Sequence, residues 1–208
     1  EYQNAPKAGK IAIRLDEGDE LIRVKLTEGT SDIFVASHMG KMIRFNEKDV
    51  RDMGRVSRGV RAMTLDDGDY VIGMDTECEN GKMLVVSEYG FGKKTELSEY
   101  KRQSRGGKGT TTYKISDATG ALAGMEIVTP DDDIMLITSE GIIIRMDSED
   151  ISTYGRVTKG VRLMRFADGV SIISIAKVVK DSEDDSETAE NTDTQEEFDV
   201  QTTENAEE

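Results

Sequence analysis

The sequence predicts an all-β, propeller-like array, because one short segment recurs four times at a nearly fixed interval. Its aligned glycines are separated by 50, 50 and 51 residues, a period typical of repeat architectures. Only two prolines and no long amphipathic helical stretch accompany the repeats, which favours sheet over helix. The copies are KAGKIAIRL (7–15), SRGVRAMTL (57–65), GKGTTTYKI (107–115) and TKGVRLMRF (158–166), with aligned glycines Gly9, Gly59, Gly109 and Gly160.

Each copy is followed by an acidic turn and a strand-like run, and the first three are then followed by a hairpin. The hairpin arms are rich in Ile, Val, Phe and Met with polar residues between them, as half-buried strands require. Glycine at the hairpin tip suits a tight turn with positive φ. The strand-like runs span 15–26, 65–74, 118–128 and 167–179, and the hairpins span 32–45, 82–95 and 133–146 with tips at Gly40, Gly90 and Gly141. Short acidic segments at 46–50 and 148–151 are expected to form single helical turns.

Residues 1–180 are predicted to form a partial propeller of four repeats, at 1–50, 51–100, 101–151 and 152–180. The fourth repeat lacks a hairpin, and because open β edges are usually covered, we expect strand exchange between neighbouring blades. Residues 181–208 contain thirteen acids, no base and a single phenylalanine. Such a tail cannot bury enough apolar surface to offset its ordering entropy, so it is predicted to be disordered.

The charge of the chain is segregated in phase with the repeat. The net charge is −15, but residues 1–180 carry only −2 because thirteen acids lie in the tail. Residues 2–14, 51–64, 101–114 and 155–165, called basic segments 1 to 4 below, hold sixteen Lys and Arg against one acid, Asp52. Equivalent positions of a blade array lie on the same rim, so the segments are expected to form a curved basic stripe for phosphate.

Basic segment 3 contains the sharpest local motif, QSRGGKG at residues 103–109. Glycines there would let the backbone approach a phosphate while Arg105 and Lys108 point at it, although a glycine-rich turn that merely links blades is the alternative. The motif comprises Gln103, Ser104, Arg105, Gly106, Gly107, Lys108 and Gly109. The candidate phosphate contacts are Arg55, Arg58, Arg61, Lys101, Arg102, Arg105, Lys108, Arg156, Lys159 and Arg162, with Lys41, Arg44, Lys93, Lys94 and Arg145 as secondary candidates.

Other classes of site find little support in the sequence. A single histidine, His38, excludes His-rich metal sites and disfavours a nucleophilic triad, so no catalytic residue and no metal ligand is assigned. One cysteine, Cys78, fits a reducing compartment, and no apolar run approaches a membrane span. The basic segments contain only two aromatic residues, which argues against base stacking on single strands and favours duplex as the target.

Several motifs of the chain together resemble the C-terminal domain of bacterial DNA gyrase A. They are the hairpin sequences GKMIRF and GFGKKT, the GRVxxGVR segments at 54–61 and 155–162, QSRGGKG and the acidic terminus. The resemblance covers residues 1–180. It implies a β-pinwheel, a propeller-like disc with strands exchanged between blades, which wraps duplex DNA on its basic rim and supports negative supercoiling. Ser104 departs from the family's signature box, which has Lys or Arg there and belongs to the first blade, so we expect this chain to be a fragment containing later blades.

The resemblance also implies a cellular setting. It places the chain in the bacterial cytoplasm, associated with the nucleoid, within a heterotetramer of gyrase A and gyrase B that uses ATP and Mg²⁺ bound by other domains. No cofactor is assigned to this chain, and the DNA-cleaving tyrosine of the family belongs to another part of gyrase A. The C-terminal domain of topoisomerase IV and a propeller that binds protein ligands remain the alternatives.

Overall fold

The structure is a computed structural model and describes residues 4, 6–167 and 169–180. These residues form short strands and three single turns of 3-10 helix, which confirms the all-β class and both predicted helical turns. The strands are β1 (Asp32–Ser37), β2 (Lys41–Asn46), β3 (Val71–Thr76), β4 (Lys82–Ser87), β5 (Phe91–Glu96), β6 (Thr110–Thr111), β7 (Leu122–Val128), β8 (Asp132–Thr138), β9 (Ile143–Asp147), β10 (Val161–Arg162) and β11 (Ile172–Val179). The 3-10 turns are Glu47–Asp49, Leu97–Glu99 and Ser148–Asp150.

All three predicted hairpins are present, each in an antiparallel sheet of its own. Strands β1 and β2, β4 and β5, and β8 and β9 pair in the same relative register, with Val35 opposite Ile43, Val85 opposite Lys93 and Leu136 opposite Ile144. The tip glycines have φ values of 75°, 76° and 80°. A residue with a Cβ rarely adopts this conformation, which explains why glycine recurs at each tip.

Strands are exchanged between repeats, as expected. The sheet orders are β3-β1-β2-β6, β10-β5-β4-β7 and β11-β8-β9. Each hairpin therefore pairs through its first strand with a strand of the next repeat, called the inner strand below (β3, β7 and β11). The first two hairpins also pair through their second strand with a short outer strand, β6 or β10, from the basic segment two repeats ahead. Among the described residues the third hairpin has no outer strand, and the side chains of Ile142, Ile143 and Ile144 are exposed there.

The first strand-like run, at residues 15–26, does not form a strand, so that prediction is wrong. The three later runs pair with the first strand of the preceding hairpin, whereas residues 15–26 have no strand partner among the described residues. Without a partner, the backbone of the run makes no ladder, and Leu21, Ile22 and Leu26 are exposed. The run instead contacts the inner strands through two ion pairs, Lys25 with Asp75 at 2.9 Å and Arg23 with Glu126.

Apolar layers between the sheets hold the three sheets together. Strand β4 shows the principle, because Met83 and Val85 face the first sheet while Leu84 and Val86 face the third. This alternation follows from the two-residue period of a strand. The inner strands also approach one another closely, since a Cβ on Gly124 would lie 2.7 Å from the side chain of Ile175.

Candidate nucleic-acid interface

The four basic segments lie side by side and are joined by one hydrogen bond that repeats with the sequence period. In each case the amide five residues after the aligned glycine of one segment donates to the carbonyl two residues before the aligned glycine of the next. The predicted stripe is therefore continuous in the structure. The three bonds run from Arg14 to Ser57 (3.1 Å), from Thr64 to Gly107 (2.9 Å) and from Lys114 to Thr158 (3.4 Å).

Segments 3 and 4 are anchored to the sheets through their aligned glycines. Both glycines have a φ of 70° and lie directly on the second strand of a hairpin. A Cβ on Gly109 would lie 2.5 Å from the carbonyl oxygen of Met42, and one on Gly160 would lie 2.2 Å from that of Gly92. Only glycine allows this approach, so the periodic glycine fixes the basic segment on the sheet edge.

The QSRGGKG motif in segment 3 also packs its backbone against protein. The amide of Gln103 donates to the carbonyl of Arg44 (2.8 Å), and that of Gly106 donates to the carbonyl of Ala62 (2.7 Å). The positive φ of Gly106, 86°, allows this turn. Ser104 is exposed. The glycines thus form the glycine-rich turn that was the alternative interpretation of the motif. Whether the motif can also contact phosphate depends on how far its cations are exposed.

Two of the predicted contact residues, Arg105 and Arg156, point their guanidinium groups at the neighbouring segment. Arg105 Nη1 donates to the carbonyl of Arg61 (2.6 Å), and Arg156 Nη1 donates to the carbonyl of Thr111. The two contacts are equivalent and one repeat apart, because each arginine lies four residues before an aligned glycine and each acceptor lies two residues after one. Both arginines therefore stabilise the junction between adjacent segments, and both are only partly exposed. Arg55, at the equivalent place in segment 2, is also partly exposed.

The other predicted contact residues are exposed on the segments. Arg102 differs from the rest because its guanidinium is held by Asp32 through Nε (3.0 Å) and Nη2 (2.8 Å). Lys159 and Arg162 lie over the ring of Phe91, at 5.9 Å and 4.5 Å from its centroid. Six exposed cations are thus left to form the outward face of the stripe. They are Arg58, Arg61, Lys101, Lys108, Lys159 and Arg162.

Two of these six cations pair with an acid of the preceding repeat. Arg58 lies 3.1 Å from Asp16, and Lys108 lies 2.8 Å from Asp66, an equivalent pair one repeat later. The hydrogen bond and charge of Lys108 lower the pKa of Asp66, and Asp66 raises the pKa of Lys108. All four side chains are more than half exposed, so water and salt screen both pairs and a phosphate could displace the carboxylate. At the place equivalent to Asp16 and Asp66, the third repeat has an uncharged serine, Ser116.

The secondary candidates have structural partners. Arg44 is mostly buried and binds Asp32 (2.7 Å), Glu77 (3.0 Å) and the carbonyl of Leu97 (3.0 Å). Burial would raise the pKa of Asp32, but hydrogen bonds from Asn46, Arg44 and Arg102 outweigh it and lower that pKa. The remaining candidates bond as follows: Lys41 to Thr111 Oγ1 (3.1 Å), Lys93 to the carbonyls of Gly155 and Arg156, Lys94 to the carbonyl of Ser148 (2.6 Å) and Arg145 to Asp133 (2.6 Å).

Six cations of the basic segments were not among the predicted contacts, and three of them share one place in the repeat. Arg14, Lys114 and Arg165 are exposed and lie five residues after the aligned glycines of segments 1, 3 and 4. The same period that located the other candidates would have found them. They extend the charged surface along the junctions between segments.

The described residues contain no group of three or more His, Cys, Asp and Glu side chains placed to hold a metal ion. His38 stacks on the ring of Tyr70 at 4.5 Å, and its Nδ1 lies 3.0 Å from the carbonyl of Leu122. It therefore serves packing between repeats. None of the helical turns in the described part of the chain is long and apolar enough to cross a membrane.

Comparison with known proteins agrees with this architecture. The family model described as "DNA gyrase C-terminal domain, beta-propeller" matches four times, at residues 1–28, 31–76, 81–129 and 132–178. DNA gyrase A of Staphylococcus epidermidis (strain ATCC 12228) is 43% identical over 218 aligned positions, which cover 99% of this chain and 24% of that protein. DNA gyrase A of Staphylococcus aureus (strain NCTC 8325) is 42% identical over 186 positions, covering 88% of this chain and 21% of that protein. The chain thus spans less than a quarter of the length of these relatives.

Solved structures give the same result for the fold. A DNA gyrase A C-terminal domain superposes with a TM-score of 0.75 at 31% identity, over 83% of this chain and 59% of that one. The C-terminal domain of a DNA topoisomerase IV superposes with a TM-score of 0.80 at 25% identity, over 86% of this chain and 56% of that one. The expected β-pinwheel is thereby confirmed, and the chain belongs to the family of DNA gyrase A C-terminal domains.

Proposed function

We propose that this chain binds duplex DNA without sequence preference and bends it along the basic stripe. The observation that carries the proposal is the continuity of the four basic segments, which hydrogen bonds join side by side and which carry exposed cations along their length. Cations spaced along a curved edge contact successive phosphates only if the duplex follows the curve. Backbone charge and deformability, rather than base edges, would then determine affinity.

The chemistry of the stripe favours a duplex over a single strand. Single-strand binders stack bases on exposed aromatic rings. In the described parts of the basic segments the aromatic residue is Tyr113, which is 1% exposed and belongs to the core. Phe91, beside segment 4, is covered by Lys159 and Arg162. The described part of the stripe therefore offers charge but no open stacking surface.

In the larger protein, we propose that this wrapping supports negative supercoiling by DNA gyrase. The proposal follows from the family and places the chain with the rest of gyrase A and with gyrase B in a heterotetramer, in the bacterial cytoplasm and associated with the nucleoid. ATP, Mg²⁺ and the cleavage and religation of DNA would be handled by other domains. This chain would contribute a binding surface and no catalytic residue.

A salt titration and a bending assay test the proposal together. Six phosphate contacts predict that log affinity falls with log salt with a slope of about −5. The titration would use a fluorescent duplex of roughly 40 base pairs, which is long enough to follow a curve yet shorter than the persistence length. Dyes at the two ends report bending by energy transfer. A slope near zero would contradict phosphate binding, and salt-dependent binding without a change in energy transfer would contradict bending.

Two alternatives predict different results. A topoisomerase IV C-terminal domain has the same fold, but the curated relatives at 42–43% identity are DNA gyrase A proteins. Supercoiling restored to a gyrase that lacks its own C-terminal blades would distinguish the two. A propeller that binds protein ligands would retain peptides and not duplex in parallel pull-downs.

A further inference from the structure

Lys93 is a buried lysine at a position where the other repeats have an apolar residue. Counted from the hairpin tip, it is equivalent to Ile43 in the first repeat and Ile144 in the third. Ile43 is fully buried in an apolar cluster with Met63. The side chain of Lys93 is equally buried, with 0% exposure. Burying an ammonium group is costly unless its donors are satisfied, so its contacts indicate what it does.

The contacts of Lys93 all lead to the start of basic segment 4. Its Nζ donates to the carbonyls of Gly155 (2.8 Å) and Arg156 (2.5 Å). Beside it, Thr95 Oγ1 donates to the carbonyl of Tyr154 (3.0 Å). Strand β5 therefore holds three consecutive carbonyls of one turn. A methionine or isoleucine could fill the same space but could not bind those oxygens.

The turn held by Lys93 precedes the exposed cations of segment 4. Lys159 and Arg162 follow Arg156 by three and six residues, and between them Gly160 rests on the backbone of Gly92. The short strand β10 also pairs with β5 there, and the amide of Tyr154 donates to the carbonyl of Lys94 (2.8 Å). Loss of the lysine contact would therefore loosen the turn at the carbonyls of Gly155 and Arg156 while these other contacts persist.

We propose that Lys93 is a positioning residue for DNA binding, which fastens the turn of basic segment 4 to β5 and so sets the placement of Lys159 and Arg162. This inference rests on the proposed function. A positively charged clamp binds carbonyl oxygens more strongly than a neutral amine does. The protonated form of Lys93 therefore favours the DNA-binding arrangement, and duplex binding and protonation of Lys93 promote each other.

The surroundings of Lys93 place its titration near neutral pH. Burial lowers its pKa to about 8, with Glu99 opposing this shift and Arg156 adding to it. These two charged groups and the hydroxyl of Tyr100, whose pKa burial raises to about 12, are the ionisable groups around it. Because the folded pKa lies below the ordinary value of 10.5, the unfolded chain binds more protons between about pH 8 and 10.5. The Lys93 contribution to folding stability therefore rises with pH over that range, whereas its contribution to DNA binding falls.

The pH dependence of duplex binding tests the inference. We would compare the wild type with Lys93→Met, using Lys180→Met as a control that removes one charge outside the basic segments, and measure affinity for a fluorescent duplex between pH 7 and 9. The wild type and Lys180→Met should lose roughly fivefold in affinity over this range, and Lys93→Met should bind roughly fivefold more weakly at pH 7 with a flat profile. Parallel pH profiles for all three proteins would overturn the inference, whereas a wild type that shows no salt-dependent binding would overturn the proposed function.

A second measurement uses the wild type alone and does not depend on the folding of a variant. In protein with isotope-labelled lysine side chains, the Lys93 resonance should titrate near pH 8, and addition of duplex should raise that midpoint. A midpoint that duplex leaves unchanged would contradict the coupling between Lys93 and DNA binding.

Discussion

Lys159 and Arg162 offer the most direct test of the basic stripe, because removing their charges should disturb the fold little. Both side chains are exposed over Phe91, and among the described residues neither forms a salt bridge. The double substitution Lys159→Gln and Arg162→Gln removes two of the six outward cations and leaves the glycine contact of segment 4 intact. We expect weaker DNA binding with normal thermal unfolding.

The size of the effect follows from counterion release. Each lost phosphate contact should reduce the steepness of the log–log salt dependence by about 0.9, so the slope should change from about −5.4 for six contacts to about −3.6 for four. At about 0.1 M salt each contact contributes about 0.9 of a decade in affinity, which predicts a loss of roughly 60-fold. Fluorescence anisotropy with a labelled duplex at four or five salt concentrations measures both quantities.

A matched control separates local contact from overall charge. Lys48→Gln with Lys180→Gln removes the same charge from outside the basic segments, since Lys48 is exposed in the first 3-10 turn and Lys180 pairs with Asp147. This variant should keep the wild-type slope. Equal losses in the two double variants would refute the assignment of phosphate contacts to segment 4, because net charge alone would then explain binding.

Three further predictions concern other parts of the chain. Asp66→Asn should tighten duplex binding by up to about fivefold by releasing a paired cation, whereas Asp67→Asn, next to it, should not, and equal titration curves would argue against competition. Gly160→Ala should lower the free energy of unfolding by roughly 1–3 kcal/mol, and Gly18→Ala, which also has positive φ but open space around it, by about 1 kcal/mol or less; chemical denaturation compares them. Deletion of residues 181–208, which lie outside the described residues, should strengthen DNA binding most at low salt, and identical affinities with and without the tail would contradict a competing role for its acids.

Local chemistry explains why much of the fold could be predicted. Positive φ at Gly40 and close approach at Gly109 each demand glycine, so both leave a periodic trace in the sequence. The run at residues 15–26 has the same pattern as its paired equivalents, but a pattern cannot show whether a partner strand is present.

The candidate site was predictable as a surface but not residue by residue. Arg105 and Arg58 are both arginines on a basic segment, yet Arg105 binds a carbonyl of the adjacent segment, whereas Arg58 is exposed and pairs with an exposed acid, Asp16. Lys93 and Lys94 are neighbours in one strand, and the two-residue period sends them to different environments. The partner of each cation depends on where the neighbouring repeat lies in space, and the residue types along the sequence do not give that position.

Strand exchange follows the same pattern for the first two hairpins. Each pairs with one strand from the next repeat and with another from the repeat after that. A whole repeat could therefore be gained or lost within the array without breaking the pairing of the others. The number of unpaired edges stays constant while the arc of basic segments lengthens or shortens by one unit. Under the proposed function, the number of repeats would then set the length of duplex that the stripe can bind, and that length could change without a change in any single contact.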